Sequence, residues 1–336
     1  MTDFLKDISE QPTALSHLLE HASEIKARSS TCSHESVLFL GMGASYYAGL
    51  YAALYLRSRG FRAECHELSE FLWYDAKAVI EHYDRIILIS QSGKTAELVR
   101  FFEQFRSKLD RCFLVTNNID SPTAAEMPEE NVFPIFAGHE RAMGSSKSFL
   151  NTITALLLIA SSWTKEKLDF NAVVDHVGAA LKTDTKRLTA EMNIKDDVVL
   201  AGRGYCLPIL RMAQLTLAEI AKKNVSWYSG AGFRHGAMEL LVSSPMVTFL
   251  IVQGKTLELM LRLREDAMQF AESVWAITNA DLHSGGRRVT LKKGLPEELS
   301  ALPAMVIFQL ISNQLALDNG YVPGHGEIAS KVTTKE

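Results

Sequence analysis

The sequence predicts an α/β protein made of two tandem units, each a parallel sheet flanked by helices and doubly wound. Three observations lead there. Short apolar runs alternate with helical patterns of about 10 to 17 residues, the rhythm of strand–helix–strand crossovers. Two segments resemble each other, SVLFLGMG at 36–43 and DVVLAGRG at 197–204, each an apolar run ending in Gly-x-Gly before a helix-like stretch, as an internal duplication would leave. The chain has 336 residues, 47% of them apolar, enough for two cores of ordinary size.

Taken in order, residues 1–34 read as an N-terminal helical segment. The first unit, 35–165, has strands near 36–41, 62–66, 85–90, 112–116 and 132–135, and a long helix over 149–163 follows. A second long helix, 171–193, lies in a connecting segment (166–194) that carries the chain to the second unit, 195–322. That unit is predicted to hold strands near 197–202, 246–252, 273–277 and 287–291 between helices near 205–222, 234–242, 255–272 and 297–319. A polar, glycine-broken tail, 323–336, ends the chain.

Bulk properties exclude several functions. The net charge of −4 is spread without blocks, and no basic stripe with interleaved aromatics marks a nucleic-acid partner. The four cysteines, at 32, 65, 112 and 206, share no CxxC spacing and no nearby His pair, so they read as buried reduced thiols rather than a metal centre. The N-terminal MTDFLKDISEQP has no apolar signal core, and the greasy stretch around Leu156–Ile159 is too short to span a bilayer. A cytoplasmic protein with no membrane partner is the expectation.

The most informative segment is IILISQSGKTAE at 86–97. An apolar strand breaks into a Ser-Gln-Ser-Gly turn, and Thr95 opens a helix. Such a turn gathers backbone N–H groups and the hydroxyls of Ser90, Ser92 and Thr95 at the positive end of a helix dipole, a cradle for a phosphate dianion. It is not a nucleotide P-loop, because Leu88 stands where that motif needs glycine. The alternative is an ordinary polar turn capping a helix. GMGAS at 41–45 invites comparison with the dinucleotide fingerprint, but Tyr46 occupies the sixth position and disfavours NAD. What remains is a turn placing Ser45 at a strand tip, beside the Ser90 loop if the two strands are neighbours.

In the second half, Glu219 sits on an amphipathic helix beside Leu215, Leu217 and Ile220. A carboxylate at the edge of an apolar face is a setting that raises a pKa toward the range of a general acid/base. GAGFRHG at 230–236 is a glycine-laced loop that exposes His235 at the start of a helix, as a proton shuttle or as a surface histidine. GHERAMGSSKSF at 138–149 offers Ser145 and Ser146 either to a sugar or phosphate or to helix capping.

The order of SQSGKT, GSSKSF, GRG, the Glu219 helix, the His-Gly loop and a terminal SKVT resembles the sugar isomerase (SIS) domain family over nearly the whole chain, from about residue 5. The likeness is to the isomerase half of glucosamine-6-phosphate synthase and to stand-alone aminosugar-phosphate deaminases and fructosamine-phosphate deglycases. It implies two tandem flavodoxin-like SIS domains. It also implies that Ser45, Ser90, Gln91, Ser92 and Thr95 hold the 6-phosphate of a hexose; Met143, Ser145 and Ser146 are further candidates for contact with the substrate's sugar or phosphate. Glu219 matches the catalytic carboxylate that moves a proton between C1 and C2. His235 matches the ring-opening histidine, contributed in relatives by the neighbouring subunit, so a homodimer or higher oligomer is expected. Lys331 resembles the substrate-covering tail residue, although an ungapped comparison puts Ser330 there. No metal or organic cofactor is implied.

Departures from the family narrow the expectation. The chain begins Met1-Thr2 without the synthase's N-terminal glutaminase, so glutamine-driven amination is not expected. Thr216 replaces the lysine found three residues before the carboxylate in the synthase, which argues against a Schiff base from the protein and suits a substrate already bearing nitrogen. Gly232 and Ala237 depart from the deglycase loop. The expected activity is a deglycase or deaminase acting on an amino-substituted hexose 6-phosphate through an enaminol. An aldose–ketose phosphosugar isomerase, or a non-catalytic sugar-phosphate sensor, is the alternative.

Overall fold

The computed structural model describes residues 1–30, 36–328 and 331–333. Ten strands form two five-stranded, wholly parallel sheets. The first contains β1 (Ser36–Gly41), β2 (Arg62–Glu67), β3 (Arg85–Ile89), β4 (Cys112–Thr116) and β5 (Val132–Pro134). The second contains β6 (Val198–Gly202), β7 (Ser226–Ser229), β8 (Met246–Ile251), β9 (Val274–Thr278) and β10 (Arg287–Thr290).

The first sheet runs β2-β1-β3-β4-β5 and the second β10-β9-β8-β6-β7. Numbered from its own first strand, each sheet has the order 2-1-3-4-5. The two Gly-x-Gly segments therefore end the topologically equivalent strands β1 and β6, as the internal likeness predicts. Central strands such as β3 and β8 are buried along their whole length, which is why they read as mostly apolar runs, interrupted only by Arg85 and Thr248.

The chain divides into two compact units that are discontinuous in sequence. One comprises Glu10–Glu140, Ser145–Asn171 and Gly326–Glu336; the other comprises Met1–Ser9, Arg141–Gly144 and Ala172–His325. Each unit holds one of the two sheets together with segments distant from it in sequence. The terminal helix Asp3–Ser9 belongs with the second sheet because the buried Asp7 carboxylate accepts the backbone N–H groups of Arg141 and Ala142 and the Arg141 guanidinium. In the first-sheet unit, helices Gln11–Glu20, Ala22–Ser29 and Ala44–Arg57 pack on the buried helix Lys147–Thr164. In the second-sheet unit, Cys206–Ala221 packs on Leu302–Asp318.

Three details depart from the sequence reading. The single helix expected over 171–193 is two helices, Phe170–Ala180 and Lys186–Ile194, with Asp184 accepting the Lys186 N–H at the restart. The helix expected over 234–242 is a short turn, Gly230–Arg234, followed by a 3-10 segment, Ala237–Ser243. Strand β7 was not anticipated. One stretch, Glu297–Asp318, is long and apolar enough to cross a membrane by length and composition, yet 89% of its apolar window is buried within the protein.

Candidate active site

In the first-sheet unit the two glycine- and serine-rich turns follow neighbouring strands. β1 and β3 pair in parallel with Gly41 opposite Ile89, so the turns after them open at the same, carboxyl, end of the sheet. In a 2-1-3-4-5 sheet the β1/β3 boundary is where the winding direction reverses, the place at which ligands bind such sheets. Gly41 allows the first turn to close: a Cβ there would lie 2.9 Å from Ser45 backbone carbon. Ser45 consequently sits in the first turn of helix Ala44–Arg57.

The second turn is built by its own hydroxyls. Ser90 is buried, and its Oγ accepts the Gly93 N–H at 3.2 Å; Ser92 Oγ accepts the Lys94 N–H at 3.2 Å. Neighbouring turns brace it, with Gln91 carbonyl accepting the Asn117 N–H and Gly93 carbonyl accepting the Thr123 hydroxyl. Gly93 has φ +62°, and a Cβ there would fall 2.2 Å from Ser121 Oγ, so only glycine fits. Thr95 is the N-cap of helix Ala96–Phe105, yet its side chain makes no capping bond. Ser90 and Ser92 thus cap N–H groups within the turn itself, while the Thr95 hydroxyl is not used to cap the helix that follows.

The tail reaches this unit. Thr333 carbonyl accepts the Ala96 N–H at 3.1 Å, at the start of the helix behind the cradle. Lys331 donates to Glu140, a residue that sequence reasoning missed. Glu140 is buried and also accepts the N–H and hydroxyl of both Ser146 and Ser148. Ser146 is therefore fully buried and committed to Glu140 instead of presenting its hydroxyl to a sugar, while Ser145 stays partly exposed. Ser330, the other candidate for the tail position, lies outside the described residues.

In the second-sheet unit, Glu219 occupies the last turn of helix Cys206–Ala221, which ends where Lys222 turns left-handed. Gly144 comes close enough that a Cβ on it would stand 3.4 Å from Glu219 Oε2 and 2.7 Å from Ile220 Cδ1, so the segment carrying Met143 runs beside the carboxylate. Thr216 is fully buried on the same helix, and its hydroxyl has no hydrogen-bond partner among the described residues.

His235 is exposed and caps the end, not the start, of the turn Gly230–Arg234, immediately after the carboxyl end of β7. Helix Cys206–Ala221 begins at the carboxyl end of β6 and runs back, so at 1.5 Å per residue Glu219 lies roughly 20 Å along it, toward the opposite end of the sheet. One second-sheet unit therefore keeps Glu219 and His235 apart.

These features define a doubly wound α/β protein with two glycine- and serine-rich turns at the switch point of its first sheet. Residues 31–162 match the SIS domain family model. The chain is 26% identical over 343 residues to the glutamine–fructose-6-phosphate aminotransferase (isomerizing) of Sulfurisphaera tokodaii, covering 99% of this chain and 56% of that protein. It thus spans little more than half the length of that relative. Its fold is similar to tagatose-6-phosphate ketose/aldose isomerase from Escherichia coli, with a TM-score of 0.82, 20% identity and coverage of 97% and 96% of the two chains. It is also similar to glucosamine-6-phosphate deaminase from Thermotoga maritima, with a TM-score of 0.75, 18% identity and 99% coverage of each.

Proposed function

We propose that this chain is a sugar-phosphate enzyme that acts, as a homodimer or larger assembly, on an amino-substituted hexose 6-phosphate. The observation that carries the reading is the pair of turns at the β1/β3 switch point, with Gly41 opposite Ile89 and a helix N-terminus behind the Ser90–Thr95 loop. A monoester dianion suits that environment. Its grip supplies remote binding energy that positions the sugar carbons for proton transfer.

In this reading His235 assists ring opening and Glu219 takes a proton from C1 or C2 and returns it to the neighbouring carbon through an enaminol. Water then adds to the resulting imine carbon and the amine leaves with a proton, so ammonia or an amino acid is released with a sugar phosphate. Thr216 supports the choice of an amine-bearing substrate, since a hydroxyl there cannot form the imine from the protein side. The separation of Glu219 and His235 along one unit supports the oligomer, with His235 reaching the site of a second copy.

The decisive experiment mixes two inactive variants. Glu219→Gln and His235→Asn should each abolish turnover and leave thermal stabilisation by a hexose 6-phosphate in place; mixed and allowed to exchange subunits, they should regain part of the activity. Normal turnover by Glu219→Gln removes the carboxylate from its role, and a mixture that stays inactive removes the shared site. Product analysis separates the chemistries: released ammonia or amino acid marks a deaminase or deglycase, whereas ketose without amine release marks an isomerase.

A further inference from the structure

A cluster far from this chemistry in sequence joins the end of the second helix to the loop after β5. His17, Glu20 and His21 bring one donor atom each to within 4.8 Å of one another. The spacing explains why: positions i, i+3 and i+4 share one face of a helix, and Gln11–Glu20 ends with His21 as its cap. The two imidazole rings stand 5.6 Å apart, edge to face at 70°. Neither ring is loose on the surface. His21 stacks flat on Phe136 with centroids 3.9 Å apart and planes 5° from parallel, and His17 meets the same ring edge-on at 5.3 Å. Phe136 achieves this from a left-handed backbone, φ +51°, a conformation that a bulky residue adopts at a cost and that here places its ring under both imidazoles.

We propose that His17, Glu20 and His21 form a binding site for a divalent transition-metal ion, zinc or nickel by type. Two imidazoles and a carboxylate are the donor set such ions select, whereas magnesium and calcium favour all-oxygen sites. Three protein ligands leave a position for water, and His17 and Glu20 are exposed, so an ion can enter. Phe136 performs the orienting task usually given to outer-shell hydrogen bonds, holding His21 at a fixed angle before the ion arrives. Glu24, whose carboxylate lies 3.6 Å from His21 Nδ1, adds negative charge beside the site. The bound ion would tie the end of this helix to itself and stiffen the stack on Phe136.

Isothermal titration of the full chain with zinc chloride, and separately with nickel chloride, tests the site. Wild type should take up one equivalent, while magnesium chloride gives no heat. His17→Ala should weaken zinc binding by more than the roughly 10–100-fold that outer-shell changes cost. His21→Phe preserves an aromatic ring on Phe136 while removing the donor, so it should keep the folded circular dichroism spectrum and lose the same binding. Absence of saturable uptake by wild type, or uptake unchanged in either variant, overturns the proposal. The readout is independent of the sugar-phosphate reading, which stands or falls on turnover.

Discussion

Lys331 donates its ammonium to the carbonyl of Glu140 at 2.9 Å and to its carboxylate at 3.2 Å, tying the chain's last residues to a buried acid. Four further donors from Ser146 and Ser148 converge on that carboxylate. Removing the acid strands all of them. Glu140→Ala should lower stability by about 3 kcal/mol or more in urea unfolding, because breaking a buried pair leaves polar groups unmet. Lys331→Ala leaves the four serine bonds and should cost less, about 1 kcal/mol, while making the tail after Gly326 cleavable by limited proteolysis. A tail equally resistant in Lys331→Ala would mean that the Lys331 contact with Glu140 is not what holds it.

Gly93 shapes the Ser90–Thr95 turn, the proposed phosphate site, and its left-handed φ together with the 2.2 Å approach to Ser121 Oγ makes it irreplaceable. Gly93→Ala adds about 1–2 kcal/mol of backbone strain to a steric overlap with the Ser121 side chain. The expected result is a protein less stable by at least about 2 kcal/mol whose melting temperature no longer rises with glucose 6-phosphate. Each protein is compared with itself, ligand-free, so loss of fold and loss of site are read separately. A full ligand-induced rise in Gly93→Ala would move the anion site elsewhere.

Much of the fold is legible in the sequence, and the exceptions have physical causes. Central strands announce themselves because burial on both faces favours a mostly apolar sequence, as in Arg85–Ile89 and Met246–Ile251. Strand β7 is four residues, SWYS, on a sheet edge and half exposed, so it carries no such run. The break at 181–185 did leave a signal: Thr-Asp-Thr is helix-starting chemistry, outweighed by the apolar period on either side. Ser90, Ser92 and Thr95 stand out as candidates because the turn that carries them is one contiguous segment. Glu140 does not, since its donors come from the next helix and from the tail, and no local pattern links them. Ser146 was visible in the same loop, but its direction depends on that buried acid.

The thiols supply a pH test. Burial pushes the Cys112 and Cys206 thiols up to about 12 from 9.0. Because the folded state holds these protons more tightly than the unfolded chain, the stability they contribute is complete below pH 9 and is lost as pH rises toward 12. Unfolding free energy measured in urea should therefore fall across that alkaline window, and Cys112→Ala with Cys206→Ala should flatten the fall while lowering the neutral value through lost packing. The same burial predicts that maleimide at pH 8 spares both thiols in native protein and labels them only after denaturation, because the thiolate is the reacting species. Native labelling of Cys112 or Cys206 at a rate near that of the unfolded chain would show that these helices and strands open far more readily than their buried packing implies.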